Sequence, residues 1–347
     1  MGSGQFTHGG AAAVAPAIAR GAVAPPIPLV YLLAASHSGS TLLAMLLGSH
    51  PDICTVGELK ATSLGSVDTY RCSCGEPIRV CGFWNAVTAA MAERGIRFDI
   101  GQAGTDVRAG ASRYARRLLK PLHRDRAMER IRDLALRLDP AWRRHLARVD
   151  AVNAALVGSI QACTGSAVIV DSSKIGIRLK YLLRNPAFDV KVVRLVRDGR
   201  AVALTYMDPE RFADATDPRL RGGGAGAHRD AERLPVTRAA REWRRSNEEG
   251  QAIVSTLDPA RWIEVRYENL CTATAETLNR IFQFVGVPPG RPPGDFRAVV
   301  QHVVGNGMRL DTSSVVRLDD RWRTSLSAAD LAAFDGVAGD LNRRLGY

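Results

Sequence analysis

The sequence predicts an α/β protein: a three-layer arrangement with a parallel sheet flanked by helices, carrying a helical insertion. Three observations predict it. Short apolar runs recur along the chain, most of them end in a polar loop that runs into helix-forming residues, and a long basic stretch with helical periodicity interrupts the alternation.

The first run is Ile27-Pro-Leu-Val-Tyr-Leu-Leu-Ala-Ala35, an apolar segment that suits a strand buried on both faces. A polar turn, Ser36-His-Ser-Gly-Ser40, follows it, and Thr41–Leu47 continues in good helix formers until Ser49-His-Pro51 supplies a stop. The second strand is Ala167–Val170, ending in Asp171-Ser-Ser-Lys174, with a helix from about Gly176 to Leu183 behind it. Val190–Val196 forms a third strand running into Arg197-Asp-Gly-Arg200 and a helix start. The fourth, Trp262–Arg266, precedes Tyr267-Glu-Asn-Leu270 and a helix from Glu276 to Val285. Ligands of such sheets bind beyond the carboxyl ends of the strands, so the polar loops there are expected to converge.

Between the first two strands lie a Cys-rich loop, residues 66–84, and a helical insertion at about 107–160. In the insertion Ile131, Leu134, Ala135, Leu138, Trp142 and Leu146 recur at three- and four-residue steps, with arginines on the other face. This pattern predicts a solvated helix packed by its apolar stripe on the core. From Arg108 to Arg148 there are 13 Lys and Arg against 4 Asp and Glu, so the stretch carries most of the net charge of +12. Its arginines could instead steer an acidic acceptor.

Residues 1–26, mostly Ala, Gly and Pro, are expected to be a disordered tail preceding a single domain over 27–347. Pro16, Arg20 and Pro25 break any secretory apolar run, and no uninterrupted run approaches a membrane span of roughly 20 residues, so a cytoplasmic location is expected. Gly222-Gly-Gly-Ala-Gly226 reads as a flexible loop. The six cysteines, Cys54, Cys72, Cys74, Cys81, Cys163 and Cys271, read as reduced thiols. Cys72, Cys74 and Cys81 have the look of three zinc ligands but lack a convincing fourth, Cys54 and His50 being distant, so structural thiols near an acceptor pocket are the favoured reading.

Two loops carry most of the functional signal. Ser36–Thr41 is a Gly-containing turn opening a helix, which aims backbone N–H groups and the positive helix end at one point. It is not a Walker A loop, because no Lys precedes Ser40 or Thr41. In Arg194-Leu-Val-Arg-Asp-Gly-Arg-Ala-Val-Ala-Leu-Thr205, the strand-end Arg197 is followed eight residues later by a hydroxyl. A guanidinium fork and a hydroxyl suit a phosphate monoester. The plain alternative pairs Arg197 with Asp198 or Glu242 on the surface.

In this order and on this pattern, the two loops resemble those of sulfotransferases that use 3′-phosphoadenosine 5′-phosphosulfate (PAPS), especially the bacterial and tyrosylprotein enzymes. Val265-Arg-Tyr-Glu-Asn-Leu270 and the terminal Leu345-Gly-Tyr347 look like theirs as well. The resemblance spans roughly residues 27–60 and 167–347. It implies a P-loop-NTPase-like fold, transfer of a sulfuryl group to a hydroxyl or amine, PAPS as co-substrate with PAP as product, and no required metal. Carried over by position, it makes Ser36, His37, Ser38, Gly39, Ser40, Thr41 and Leu42 the 5′-phosphosulfate loop. Arg197 and Thr205 would contact the 3′-phosphate, Tyr267 would lie near the nucleotide, and Arg309 would be an additional phosphate clamp. Glu58 in Thr55-Val-Gly-Glu58 would be the base, and Lys174 would stabilise the leaving phosphate. Most relatives carry Lys or Arg where this chain has His37, which predicts a weaker or pH-dependent hold on the donor.

The acceptor stays open among glycan, peptide, lipid and natural-product hydroxyls, with an acidic one favoured if the arginines steer. Two other readings stand beside this one. A nucleoside-triphosphate kinase or hydrolase of related fold lacks its P-loop Lys here. A basic nucleic-acid binder would explain the charge but not two phosphate loops at strand ends.

Overall fold

In the computed structural model, the alternating runs become five strands that pair in parallel throughout. The structure describes residues 25–60, 67–120, 126–213, 215, 219, 233–290 and 295–347. Most of the expected tail and the Gly222–Gly226 loop lie outside these residues.

Strand β1 (Ile27–Ala34) is central, and helix α1 (Ser40–Leu47) and the short β2 (Ile53–Thr55) follow it. Next come α2 (Gly82–Glu93), α3 (Arg113–Leu118), α4 (Arg126–Leu138) and α5 (Pro140–Thr164). Then β3 (Val168–Lys174), α6 (Gly176–Leu182), β4 (Phe188–Val196), α7 (Gly199–Met207), α8 (Pro209–Phe212) and α9 (Val236–Val254) lead to β5 (Trp262–Arg266). The chain closes with α10 (Tyr267–Thr272), α11 (Thr274–Val285), α12 (Trp322–Ser325) and α13 (Ala328–Arg344).

The strand order is β2-β3-β1-β4-β5, so successive connections leave β1 toward opposite edges and open a crevice at its carboxyl end. Alternation along β1 covers both faces. Leu29, Tyr31 and Leu33 join one buried cluster with α2 and α5 residues such as Trp84 and Leu156. Val30 and Leu32 join another, with α1 and α11 residues such as Leu43 and Phe282.

All four expected strands are present, and β2 is added; three residues following a Ser-His-Pro stop offer too little pattern to read as a strand. The Cys-rich loop ends at Cys81, so Phe83 and Trp84 stand in the first turn of α2 instead of in the loop. The insertion divides into α3, α4 and α5. Asp139 caps α5 by accepting from the Ala141 N–H, and Pro140 occupies its first turn.

One expectation is overturned. The stripe on α4 does not face the core: Ile131, Leu134 and Leu138 are 61%, 58% and 72% exposed. The other face of α4 makes the contacts instead: Leu136 is buried beside Trp142 and Tyr181, and charged residues flank it. Arg132 is buried against Glu129 and Asp133, and those two carboxylates pair with Lys180 and Arg184 at the end of α6. Trp142 and Val149 of α5 pack inward as a helical stripe should.

Candidate active site

The crevice at the carboxyl ends of the strands is a cleft of about 1020 Å³, the upper end of the range for ligand sites. Its floor is the turn after β1. His37 and Gly39 both take left-handed backbone conformations, with φ of 63° and 89°. Such strain in a residue with a Cβ persists only where the surroundings enforce it, and it concentrates at functional sites. A Cβ on Gly39 would stand 2.5 Å from Cδ2 of Tyr267, so only glycine lets the turn close against that ring. Gly39 is also the α1 N-cap and has no side chain to satisfy the first N–H groups of the helix, which leaves them for a ligand. Ser36, His37 and Gly39–Leu42 line the cleft. Ser38 lies buried, and its Oγ has no hydrogen-bond partner.

Arg197 joins this turn directly. Its guanidinium donates to the His37 carbonyl at 2.8 Å, stacks 4.2 Å from the centroid of Tyr267 and pairs with Asp319 at 2.9 Å. It is 6% exposed, and its Nε–H has no partner. The surface pairing with Asp198 or Glu242 is therefore not what forms: Asp198 binds Arg200. Burial alone would raise the Asp319 carboxyl, but hydrogen bonds and charge from Arg321 and Arg197 outweigh it and hold it at about 2. Burial pushes the Tyr267 hydroxyl well up. Thr205, in the second turn of α7, donates to the Ala201 carbonyl at 3.0 Å and lines the same cleft, and the neighbouring Tyr206 meets His37 edge to face at 4.6 Å.

Glu58 and Lys174 meet at another wall, with Nζ 2.5 Å from Oε1. Both positions are set by the backbone. Gly57, at φ 83°, lets the chain pass against Val304, whose carbonyl accepts the Glu58 N–H at 3.2 Å. Lys174 ends β3 at φ 70°, where the register with β1 shifts. Asp171 does not pair with Lys174. Fully buried, it binds Arg178 at 2.9 Å and accepts the N–H groups of Ser173 and Leu59, bracing the loops that carry Lys174 and Glu58.

Arg309 does not join these residues. It is 1% exposed, stacks on Tyr70 and donates to the Gly305 and Asn306 carbonyls, away from the cleft lining. Several lining residues carry no sequence signal of their own: Lys60, Arg245, Glu249, Arg317 and Arg321. Among the described residues Arg108 is the one cation of the basic insertion on the cleft wall. Burial, reinforced by Arg108, lowers the Lys60 ammonium, and burial raises the Glu249 carboxyl against the pull of Arg245.

The two outlying segments singled out in sequence meet as well. Tyr347 donates to Glu268 at 2.7 Å, and Arg266 stacks over the Tyr347 ring, so the carboxyl terminus braces the strand end that holds Tyr267.

The chain is similar to known proteins. Carbohydrate sulfotransferase 2 of Homo sapiens and that of Mus musculus are each 25% identical to the chain over 206 residues, covering 49% of it and 37% of the relative. The chain thus spans little more than a third of the length of the curated relatives it matches. The sulfotransferase domain of the Synechococcus PCC 7002 olefin synthase shares the fold, with a TM-score of 0.50 at 20% identity over 93% of this chain and 96% of that domain. Residues 28–290, well over half of the chain and including β1–β5, match the sulfotransferase family, and the chain belongs to it.

Proposed function

We propose that the cleft binds PAPS and transfers its sulfuryl group to an acceptor hydroxyl or amine. The observation that carries this reading is the hydrogen bond from Arg197 to the His37 carbonyl. It ties an anion-binding turn and a strand-end guanidinium into one cleft, as a nucleotide with phosphates at both ends requires. The unpartnered Ser38 Oγ and Arg197 Nε–H are the kind of buried donors that phosphate or sulfate oxygens satisfy.

In this reading the turn from Ser36 to Leu42 holds the 5′-phosphosulfate, while Arg197 and Thr205 hold the 3′-phosphate. Glu58 accepts the acceptor proton as the acceptor atom bonds to sulfur, and the bond from sulfur to the bridging oxygen breaks. Lys174 stabilises the charge that this oxygen carries away on the phosphate. Displacement of this kind depends mainly on alignment and charge, which suits a site built of donors and one carboxylate–ammonium pair. The curated relatives are named carbohydrate sulfotransferases, which puts a glycan hydroxyl first among acceptors to test. A cytoplasmic, reducing compartment suits six unpaired cysteines.

The direct test is a melting experiment with PAP in the absence of magnesium. At 100 times its Kd a ligand stabilises by about 2.7 kcal/mol, a clear rise in melting temperature. PAP is expected to give that rise and ATP with magnesium is not. Stabilisation by ATP and magnesium alone would return the site to the kinase reading. Incubation with labelled PAPS and an extract of glycans and proteins then identifies the acceptor.

A further inference from the structure

We propose that Cys72, Cys74, Cys81 and His302 form a closed structural zinc site. The fourth ligand missing from the sequence lies 221 residues beyond Cys81, and the fold brings it there. One ligand atom from each residue falls within a sphere in which all four lie within 4.8 Å of one another.

The spacing fits a tetrahedral ion. Cys74 Sγ stands 3.7 Å from Cys81 Sγ, and His302 Nδ1 stands 3.7 Å from Cys72 Sγ and 3.4 Å from Cys81 Sγ. Bonds of about 2.3 Å to sulfur and about 2.0–2.1 Å to nitrogen place tetrahedral ligands about 3.8 Å apart for two sulfurs and about 3.6 Å apart for sulfur and nitrogen. Disulfide bonding does not fit, since it needs sulfurs about 2.05 Å apart and would leave an odd thiol and the imidazole unused.

The surrounding chain holds these atoms in place before any ion binds. The Cys72 N–H donates to the Glu76 carbonyl at 2.9 Å, and the Gly75 N–H to Cys72 at 3.0 Å, which forms a tight knuckle. Ser73 zips the knuckle to the His302 segment: its hydroxyl donates to the Gln301 carbonyl and accepts the Val303 N–H. Cys81 sits at the N-cap of α2, and the ring of Phe83 lies flat against His302 at 4.5 Å and 4°, fixing the imidazole plane. Four protein ligands leave no open position, so the site is structural, and none of the four lines the cleft.

Its consequence reaches the cleft through the backbone. Two residues past His302, Val304 accepts the Glu58 N–H and donates to the Val56 carbonyl at 2.9 Å. The ion would therefore staple the Cys-rich loop to the segment that fixes Glu58, whatever donor the cleft takes.

The test is metal content. The full chain, produced in zinc-supplemented medium and purified without chelator, is expected to carry about one equivalent of zinc. A mercurial thiol reagent should release it. Cys74→Ser and His302→Ala are each expected to lower the content at least about tenfold, while Cys163→Ser, on the exposed side of α5, keeps it. Because ligand variants can fail to fold, the wild-type chain carries an independent readout. Metal-free chain reloaded with cobalt should show thiolate-to-cobalt charge transfer and the intense visible bands of a tetrahedral ion. Wild-type chain that purifies folded with less than about a tenth of an equivalent of zinc, or that shows no such cobalt spectrum, overturns the proposal. Undiminished zinc in the Cys74→Ser, His302→Ala double variant does so too.

Discussion

The cleft and helix α4 invert the ordinary arrangement of side chains in opposite directions. In the cleft, charge is buried: Arg197 is 6% exposed and is held against Asp319 and a tyrosine face. On α4, apolar residues are outside, with Met128, Ile131, Leu134 and Leu138 all at least half exposed. The first inversion is expensive, because a charge out of water needs a partner and hydrogen bonds to persist. The second costs little, since exposed apolar side chains are ordinary on protein surfaces. The cleft is therefore where substitution should be felt in transfer, and the stripe on α4 is where it should hardly be felt at all.

The widest gap is expected in the chemical step. Glu58→Gln and Lys174→Ala should each lower kcat by roughly 10²- to 10⁴-fold, the usual contribution of a positioned base or charge stabiliser. Melting shifts with PAP should survive both substitutions. Turnover within threefold of wild type in both variants would remove them from the chemistry. Arg197→Ala should act on binding instead, weakening PAP by about 2–5 kcal/mol in calorimetry, while Asp319 keeps its pairing with Arg321. Arg197→Lys should recover little, because an ammonium cannot reproduce the fork to His37 and Asp319.

What was legible in the sequence follows the same division. The turn from Ser36 to Thr41 is contiguous and follows an apolar run that suits a buried strand, so its place between β1 and α1 could be read. Lys174, Arg197 and Tyr267 lie at or just beyond the ends of strands legible in the sequence, so the parallel-sheet rule gathers them, whereas Glu58 follows the unread β2 and Thr205 lies within α7, and only the family resemblance pointed to those two. Arg309 falls on an irregular segment, where no periodicity fixes direction, and it turns inward to Tyr70. His302 had no local pattern to announce it; only the pairing of residues 301–303 with Ser73 makes it a neighbour of the cysteines. On α4 the three- and four-residue steps revealed a stripe, but periodicity cannot say which side of a helix has partners. Here Trp142, Tyr181, Lys180 and Arg184 decide it.

Two carboxyls allow the regions to be compared by acid. Burial would raise both, but Asp319 in the cleft and Asp133 on α4 are each held at about 2 by their cationic partners. A carboxyl held below its ordinary value stabilises the fold fully above that value, near pH 4, and the contribution is lost as pH falls from there toward 2. Each is expected to contribute on the order of 1–2 kcal/mol. Asp150 runs the other way. Burial lifts it to about 6, so it costs stability at neutral pH and the cost fades as pH falls through 6 toward 4. Urea unfolding from pH 7 to 3 should show Asp133→Asn and Asp319→Asn each flattening the acid limb. If only one does, the two ion-paired networks are not equivalent supports.

The smallest effect is the sharpest check on the comparison. Leu134→Gln, on the open side of α4, should change the urea-derived stability by no more than about 0.5 kcal/mol, as surface substitutions do. Leu136→Ala, two residues on and 1% exposed, should cost about 2–5 kcal/mol as a core truncation. Their difference measures which side of the helix is held. A cost above about 1 kcal/mol for Leu134→Gln would mean that the stripe is covered in the native protein. The opposite face would then not be the one by which α4 is attached, and the contrast with the cleft would fail at its weaker end.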